Sequence, residues 1–257
     1  MSVRGASGIP GLGGLPMFAT SADAGHSAGL RGSQTVFDGL PRPGSIDAVV
    51  FDIGGVLLDW NPRYLYRRLF DDEGEMERFL AEVCTMEWHA AHDRGVPFSR
   101  SSAELAAAHP EHAELIAAWG ARSEEMVAGE LTEVVALLAA LKRAGVPCYA
   151  LTNMEAETFP LRRDRYGFFG WFDGVVVSAY ERIAKPDPEI FVRLLGRFGL
   201  CAQRTVLIDD SAANVEAARG VGMQAVQFRS AAQLRAWLTA AGLLAGERGG
   251  DGAVRPS

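Results

Sequence analysis

Ile46-Asp-Ala-Val-Val-Phe-Asp52, followed at once by Ile53-Gly-Gly-Val-Leu57, is the stretch on which the fold turns. Its apolar run is short, rich in β-branched residues, apolar at consecutive positions, and closed by an acid. A strand that is apolar on both faces must be covered on both faces, as in a parallel sheet. Four runs of the same kind follow at Cys148–Asn153, Gly174–Ser178, Thr205–Asp209 and Met223–Phe228. Helical patterns separate them. Thr132 reads as the N-cap of a helix carrying Val134, Val135, Leu138 and Leu141, which Gly145 stops. Pro188–Phe198, Ser211–Val221 and Ala231–Leu244 read as three more. Strands alternating with helices predict an α/β fold built on a doubly wound parallel sheet.

Working outward, one connection is anomalous. From Asn61 to about Glu130 no segment has a convincing strand pattern. Asn61-Pro62 reads as a cap followed by proline at the first helical position. Ser101-Ser-Ala-Glu104 has the form of a capping box opening another helix, which His109-Pro110 ends. The expected organisation is therefore a core over residues 45–61 and 131–245, interrupted by an all-helical insertion over 62–130. An insertion after the first strand of such a sheet is placed to act as a lid. The glycine-rich residues 1–44 and the tail 246–257 read as a flexible leader and a flexible end, because they bury too little to offset their conformational entropy.

Composition narrows the function. The 257 residues carry 25 Lys and Arg against 32 Asp and Glu, for a net charge of -7. No overall attraction to nucleic acid follows, and no basic run supplies one locally. No apolar stretch approaches the ~20 residues of a membrane span. The three cysteines, Cys84, Cys148 and Cys201, form no C-x-x-C pair. They read as small buried residues in a reducing compartment. The expectation is a cytoplasmic protein with no nucleic-acid or membrane partner, working as a monomer or homodimer.

The strand ends carry the chemistry. Asp52 follows the first strand, Thr152-Asn153 close the second, and Asp209-Asp210 close the fourth, while Lys185 lies in the loop after the third. Parallel strands gather these groups on one edge of the sheet. That edge then holds a nucleophilic carboxylate, a hydroxyl, an ammonium and a carboxylate pair, with no Ser/His/Asp or Cys/His alternative evident. Two adjacent carboxylates repel, and a nearby cation offsets the repulsion.

Phe51-Asp-Ile-Gly-Gly-Val-Leu57, Leu151-Thr-Asn153, Lys185-Pro-Asp-Pro-Glu-Ile-Phe191 and Leu207-Ile-Asp-Asp-Ser-Ala-Ala-Asn214 resemble, in order, the four signature motifs of the haloacid dehalogenase-like hydrolase superfamily. The helical insertion lies where that family's cap lies. The resemblance covers residues 46–230 and implies a Rossmann-like core with a cap. It also implies a Mg²⁺-dependent phosphatase acting on a small phosphorylated metabolite. By it, Asp52 attacks phosphorus and forms an aspartyl-phosphate. Thr152 hydrogen-bonds a phosphoryl oxygen, Lys185 neutralises charge and holds Asp52 in line, and Asn153 contacts substrate or supports the site. Asp52, Asp210 and the Gly54 carbonyl ligate Mg²⁺, with Asp209 and Asn214 supporting that shell. Gly54 and Gly55 let backbone amides approach the phosphate.

One departure bears on mechanism. Phosphatases of the family commonly have a second Asp two residues after the nucleophile, as acid and base, and this chain has Gly54 there. The pattern resembles the Asp-x-Gly members, among which sugar-phosphate phosphatases are found. Either the leaving group needs no acid, or the cap supplies one from His89, His92 or Asp93. Two other readings remain. A 2-haloacid dehalogenase would use Asp52 on carbon, but that branch lacks the acidic pair, and only Arg78 and Arg94 offer themselves as halide-binding arginines. A weakly active or non-catalytic phosphate-ester-binding protein would also tolerate Gly54. Arg162, Arg163 and Arg165 read as a solvated helix face, and Trp60, Tyr64, Trp88 and Trp119 as packing residues.

Overall fold

The first apolar run forms β1 (Ala48–Phe51), and all four of its residues are buried. The computed structural model describes residues 44–245. The expected leader, apart from Gly44, and the expected tail lie outside them. In chain order the elements after β1 are β2 (Leu58–Trp60), α1 (Arg63–Tyr66), α2 (Glu73–Glu82), α3 (Met86–Asp93), α4 (Phe98–Ala108) and α5 (Ala113–Ala121). There follow β3 (Val127–Glu130), α6 (Thr132–Arg143), β4 (Cys148–Thr152), α7 (Phe159–Arg165), β5 (Gly174–Val177), α8 (Ser178–Glu181) and α9 (Pro188–Phe198). The last four are β6 (Thr205–Asp209), α10 (Ala212–Gly220), β7 (Gln224–Gln227) and α11 (Ala231–Ala240).

The main sheet has the order β5-β4-β1-β6-β7, with every neighbouring pair parallel. Alternate side chains of a strand point to opposite faces. Val49 and Phe51 accordingly enter one core with Leu138 and Leu141 of α6 and Leu234 of α11. Val50 enters another with Ile190 and Leu194 of α9 and Ala218 of α10. Helices cover both faces, and that is why the run is apolar at consecutive positions. β1 lies between β4 and β6, so the chain leaves the middle of the sheet in both directions. Ligands bind such sheets at that reversal, beyond the carboxyl ends of the strands.

Residues 63–126 are helical and have a core of their own, built on Leu65, Tyr66, Met76, Phe79, Ile116, Trp119 and Met126. The segment is bracketed by an antiparallel ribbon in which Leu58 pairs with Glu130 and Trp60 with Val127. β3 thus lies inside the span read as all-helical. Its four residues include Gly129 at φ 145° and have no alternating pattern, so the strand exists by pairing with β2.

Two helix starts differ from expectation. α6 begins at Thr132 itself with no side-chain cap, and the Leu131 amide donates instead to Leu57 O. α4 opens at Phe98, three residues before Ser101, which is buried within the helix. Its free Phe98 amide is capped by Glu157 Oε2 at 3.1 Å, from a distant loop that no local pattern reveals. Where the other helices have a side-chain cap, it is local. Thr85, Asp187 and Ser211 cap α3, α9 and α10, and Gly199 stops α9 at φ 63°.

Candidate active site

β1, β4 and β6 end together, and each hands a polar residue to the same edge. The Asp52 amide donates to Ile208 O at 2.9 Å, which fixes Asp52 to the adjacent strand. Its Oδ1 accepts from the Ile53 amide at 2.7 Å and lies 2.8 Å from Lys185 Nζ. The Lys185 ammonium also donates to Asp209 Oδ2 at 2.7 Å and to Leu151 O at 2.9 Å. All three donors of the ammonium are therefore engaged. Asn153 holds the lysine backbone from both sides. Its Oδ1 accepts from Lys185 N and its Nδ2 donates to Lys185 O, each at 2.9 Å. Asn153 is thereby tied to the lysine loop, and it also lines the cavity.

The two aspartates after β6 differ sharply. Asp209 is fully buried, and its Oδ1 accepts from the Ser211 amide at 3.0 Å and from Asn214 Nδ2 at 2.9 Å. With Lys185 on the other oxygen, its carboxylate is fully occupied. Asp210 is exposed and sits against Gly55, where a Cβ would come within 2.4 Å of Asp210 Oδ2. Gly55 is also at φ 73°, so turn and close approach both require glycine. Its amide donates to Leu58 O at 2.8 Å and is not free to meet a phosphate, contrary to expectation. The other bonds of this turn run from Val56, Leu57 and Leu58 N to Ile53 O, leaving Gly54 outside them. Thr152 is fully buried, its Oγ1 only 3.5 Å from Asn153 O, and it is not among the residues lining the cavity.

Burial pushes the Asp52 carboxyl up to about 8, with Lys185 opposing the rise and Asp209 adding to it. Burial works against the Lys185 ammonium, but the Asp52 and Asp209 carboxylates outweigh it and hold its pKa above the usual value. Partial desolvation of the Asp210 carboxyl beside the turn, and then the neighbouring Asp209 charge, raise Asp210, although the residue as a whole is exposed. Three carboxylates thus face one ammonium. Ligand oxygens of Asp52, Asp209 and Asp210 all lie within 4.8 Å of one another. That charge imbalance, the oxygen-only donor set and the Cβ-free cradle at Gly55 suit a hard divalent cation.

This edge opens into a cavity of about 540 Å³ whose other walls come from the helical segment and the loop after β4. Trp60, Leu80, Cys84, Met86, Trp119 and Val127 supply apolar surface, and Arg63, His89, Asp93, Glu155 and Arg162 supply polar groups. His89 stacks on Trp60 with ring centroids 5.3 Å apart. Its Nδ1 accepts from Trp119 Nε1 at 3.1 Å, and its Nε2 lies 3.4 Å from Glu155 Oε1. Burial raises the Glu155 pKa, but His89 and Arg162 outweigh it and keep the carboxyl below its ordinary range.

Several expectations change here. His92 does not line the cavity; its ring lies 4.5 Å from that of Trp88 and 4.3 Å from that of Phe98, and burial pushes it down to about 4. Arg162 is buried, 3.2 Å from Glu124 and 3.7 Å from Glu155, rather than on a solvated face, whereas Arg163 and Arg165 are exposed. Trp60 and Trp119 are wall residues as well as packing residues. Arg78 and Arg94 do not line the cavity, and Cys201 is exposed rather than buried. Glu155 was missed from sequence. Its position two residues beyond Asn153, in a loop at a strand's carboxyl end, was the available signal.

Comparison with known proteins bears on the family and the fold. A family profile described as haloacid dehalogenase-like hydrolase matches residues 46–222. A sesquiterpene phosphatase from Aspergillus oryzae is 30% identical over 182 residues, spanning 68% of this chain and 86% of that protein. A phosphorylated carbohydrates phosphatase from Thermotoga maritima is 25% identical over 188 residues, spanning 70% of this chain and 84% of that protein. Among solved structures, a family enzyme from Bacteroides thetaiotaomicron in complex with magnesium and inorganic phosphate matches with TM-score 0.55 and 20% identity, covering 72% of this chain and 95% of that one. The L-2-haloacid dehalogenase of Xanthobacter autotrophicus matches with TM-score 0.52 and 20% identity over 70% of this chain and 76% of that one. At such identities these structures speak for the fold alone.

Proposed function

The chain belongs to the haloacid dehalogenase-like hydrolases and is a phosphatase among them, and we propose that it is a Mg²⁺-dependent enzyme that hydrolyses a small phosphorylated metabolite through an aspartyl-phosphate on Asp52. The observation that carries this reading is the tether of Lys185 between Asp52 and Asp209, beside an Asp210 for which Gly55 makes room. Asp52 and Asp210, with the Gly54 carbonyl, would hold the cation, and Asp209 and Asn214 would steady that set. Bound there, Mg²⁺ offsets the carboxylate charge and that of the phosphoryl oxygens.

In the first half-reaction the Asp52 carboxylate attacks phosphorus, splitting one hard displacement into two easier ones. Lys185 keeps the attacking oxygen in place and balances charge around the phosphoryl group, while Asn153 fixes the backbone from which it reaches. Thr152 is assigned to a phosphoryl oxygen by the motif alone, since its side chain is buried behind the cavity wall. The helical segment acts as the cap over the cavity, excluding bulk water from the reacting groups. We place the enzyme in the cytoplasm, where its three unpaired cysteines stay reduced, and as a monomer or homodimer. Among the described residues no helix is long and apolar enough to cross a membrane.

For the substrate, two classes suit this site. The Asp-x-Gly pattern points to a sugar phosphate, whose anomeric oxygen leaves without strong acid help. The walls of Trp60, Leu80, Met86, Trp119 and Val127 favour a phosphate ester with an apolar group, in keeping with the similarity to a sesquiterpene phosphatase. A panel of sugar phosphates and farnesyl phosphate, assayed for inorganic phosphate with Mg²⁺ and with EDTA, separates them. Release is expected to vanish with EDTA, and release that persists in the chelator contradicts the metal assignment. A higher kcat/KM on farnesyl phosphate selects the apolar class, and a higher one on glucose 1-phosphate selects the sugar class.

Gly55→Ala is expected to displace Asp210 and strain the turn at about 1–3 kcal/mol. Mg²⁺ affinity, read by calorimetric titration, should fall roughly tenfold or more, by the scale seen for displaced supports of metal sites. Unchanged affinity would remove Asp210 from the cation site.

A further inference from the structure

Gly54 leaves the site without a proton donor two residues after Asp52, and a Cβ built on it would meet no atom within 4 Å. Three groups of the helical segment were candidates to replace that donor. His92 lies outside the cavity. His89 has Nδ1 occupied by the Trp119 indole and Nε2 facing Glu155. Asp93 differs from both. It is 8% exposed, lines the same cavity as Asp52 and Lys185, and its Oδ1 has no hydrogen-bond partner. An unpartnered carboxylate oxygen away from water is costly, and the cost falls if the group is protonated and meets a ligand oxygen.

We propose that Asp93 is the general acid and base of this site, giving its proton to the leaving oxygen and taking one from the attacking water. The inference rests on the phosphatase reading. Burial pushes the Asp93 carboxyl up to about 6; His89 lowers it, Glu155 raises it, and Lys185 and Arg94 lower it. Those are the charged groups that face it: His89 and Arg94 from α3 and its end, Glu155 from the loop after β4, and Lys185 from the loop after α8. Lys185 acts on both Asp93 and Asp52, which puts the proton donor and the nucleophile in one field. An acid whose pKa lies near the working pH is suited to both directions of transfer.

The protons balance. Asp52 bonds to phosphorus, the bond from phosphorus to the organic oxygen breaks, and that oxygen leaves as an alcohol carrying the Asp93 proton. Water then bonds to phosphorus, its proton goes to the Asp93 carboxylate, and the bond to Asp52 breaks. Inorganic phosphate departs with both side chains restored.

The test compares the Mg²⁺-loaded full chain with its Asp93→Asn variant on an alkyl phosphate and on 2,4-dinitrophenyl phosphate, whose leaving group needs no proton. Turnover of the alkyl phosphate is expected to fall by roughly 10² to 10⁴, the usual cost of losing a positioned acid. The first-turnover burst of dinitrophenolate should keep its wild-type rate, with a slower steady state behind it. Adding Gly54→Asp to Asp93→Asn should restore alkyl turnover, because the space at Gly54 is open. An equal fall in burst and alkyl turnover, or no fall in either, overturns the assignment. Should Asp93→Asn not fold, the wild type decides. Its alkyl rate relative to its dinitrophenolate burst should decline as pH rises through about 6, and a pH-independent ratio overturns the assignment. No release from either ester by the wild type with Mg²⁺ would overturn the phosphatase reading itself, and this inference with it.

Discussion

Asp52→Asn is expected to lower phosphate release by roughly 10⁴ to 10⁶, the scale of losing a nucleophile that works as a unit with its neighbours. The amide keeps an oxygen where Oδ1 accepts from the Ile53 amide and from Lys185, so the site should stay assembled. What it loses is the lone pair of a carboxylate able to bond to phosphorus. Folding should not suffer, because the substitution removes a carboxyl that burial already pushes far above its ordinary range. Phosphate release and a thermal melt on the same preparation check both halves. A variant that melts like the wild type and retains a tenth or more of its activity would sink the assignment of Asp52.

Lys185→Met should do the opposite to stability while also removing activity. The lysine side chain is fully buried, and its two carboxylate partners lie at 2.8 and 2.7 Å. Removing one member of a buried ion pair typically costs about 3–5 kcal/mol, because the remaining charge has lost its partner. For a chain of this size that corresponds to a fall on the order of 10 °C in Tm. Activity should fall roughly 10²- to 10³-fold or more, as when a preorganised donor to developing charge is lost. Methionine retains most of the stem, so lost packing is a minor part of the effect. A melt within about 1 °C of the wild type would mean that Asp52 and Asp209 do not depend on this ammonium.

Asp52 was legible in the sequence for the same reason that the sheet was, whereas Lys185, in the loop after α8, was legible only through the Lys185-Pro-Asp-Pro188 motif. A strand buried on both faces writes a continuous apolar run, and the residue that ends it stands at the carboxyl edge. Val50 entering one core while Val49 and Phe51 enter the other is the physical content of that pattern. β2 and β3 wrote no such run, since three and four residues paired as a ribbon bury little on either side. The start of α4 was hidden because its cap comes from Glu157, far along the chain.

The cavity walls were less legible than the strand-end residues on its floor. Arg162 sits among three arginines within four positions, and nothing local says that one is buried against Glu124 and Glu155 while the other two are exposed. That distinction arises only when the helical segment packs over the sheet edge. His89 and Asp93 lie on one helix with His92, yet only the first two line the cavity. The spacing of the three on α3 was readable; which of them lines the cavity was decided by the packing of His92 against Trp88 and Phe98.

The most direct measurement is acid quench of the Mg²⁺-loaded enzyme within the first turnover of 2,4-dinitrophenyl phosphate, followed by mass analysis of its peptides. The expected result is the mass of one phosphoryl group on the peptide containing Asp52, gone after the chase and missing in Asp52→Asn. Rapid phosphate release with no label at Asp52 at any time would contradict it, because water rather than this carboxylate would then be the first nucleophile at phosphorus.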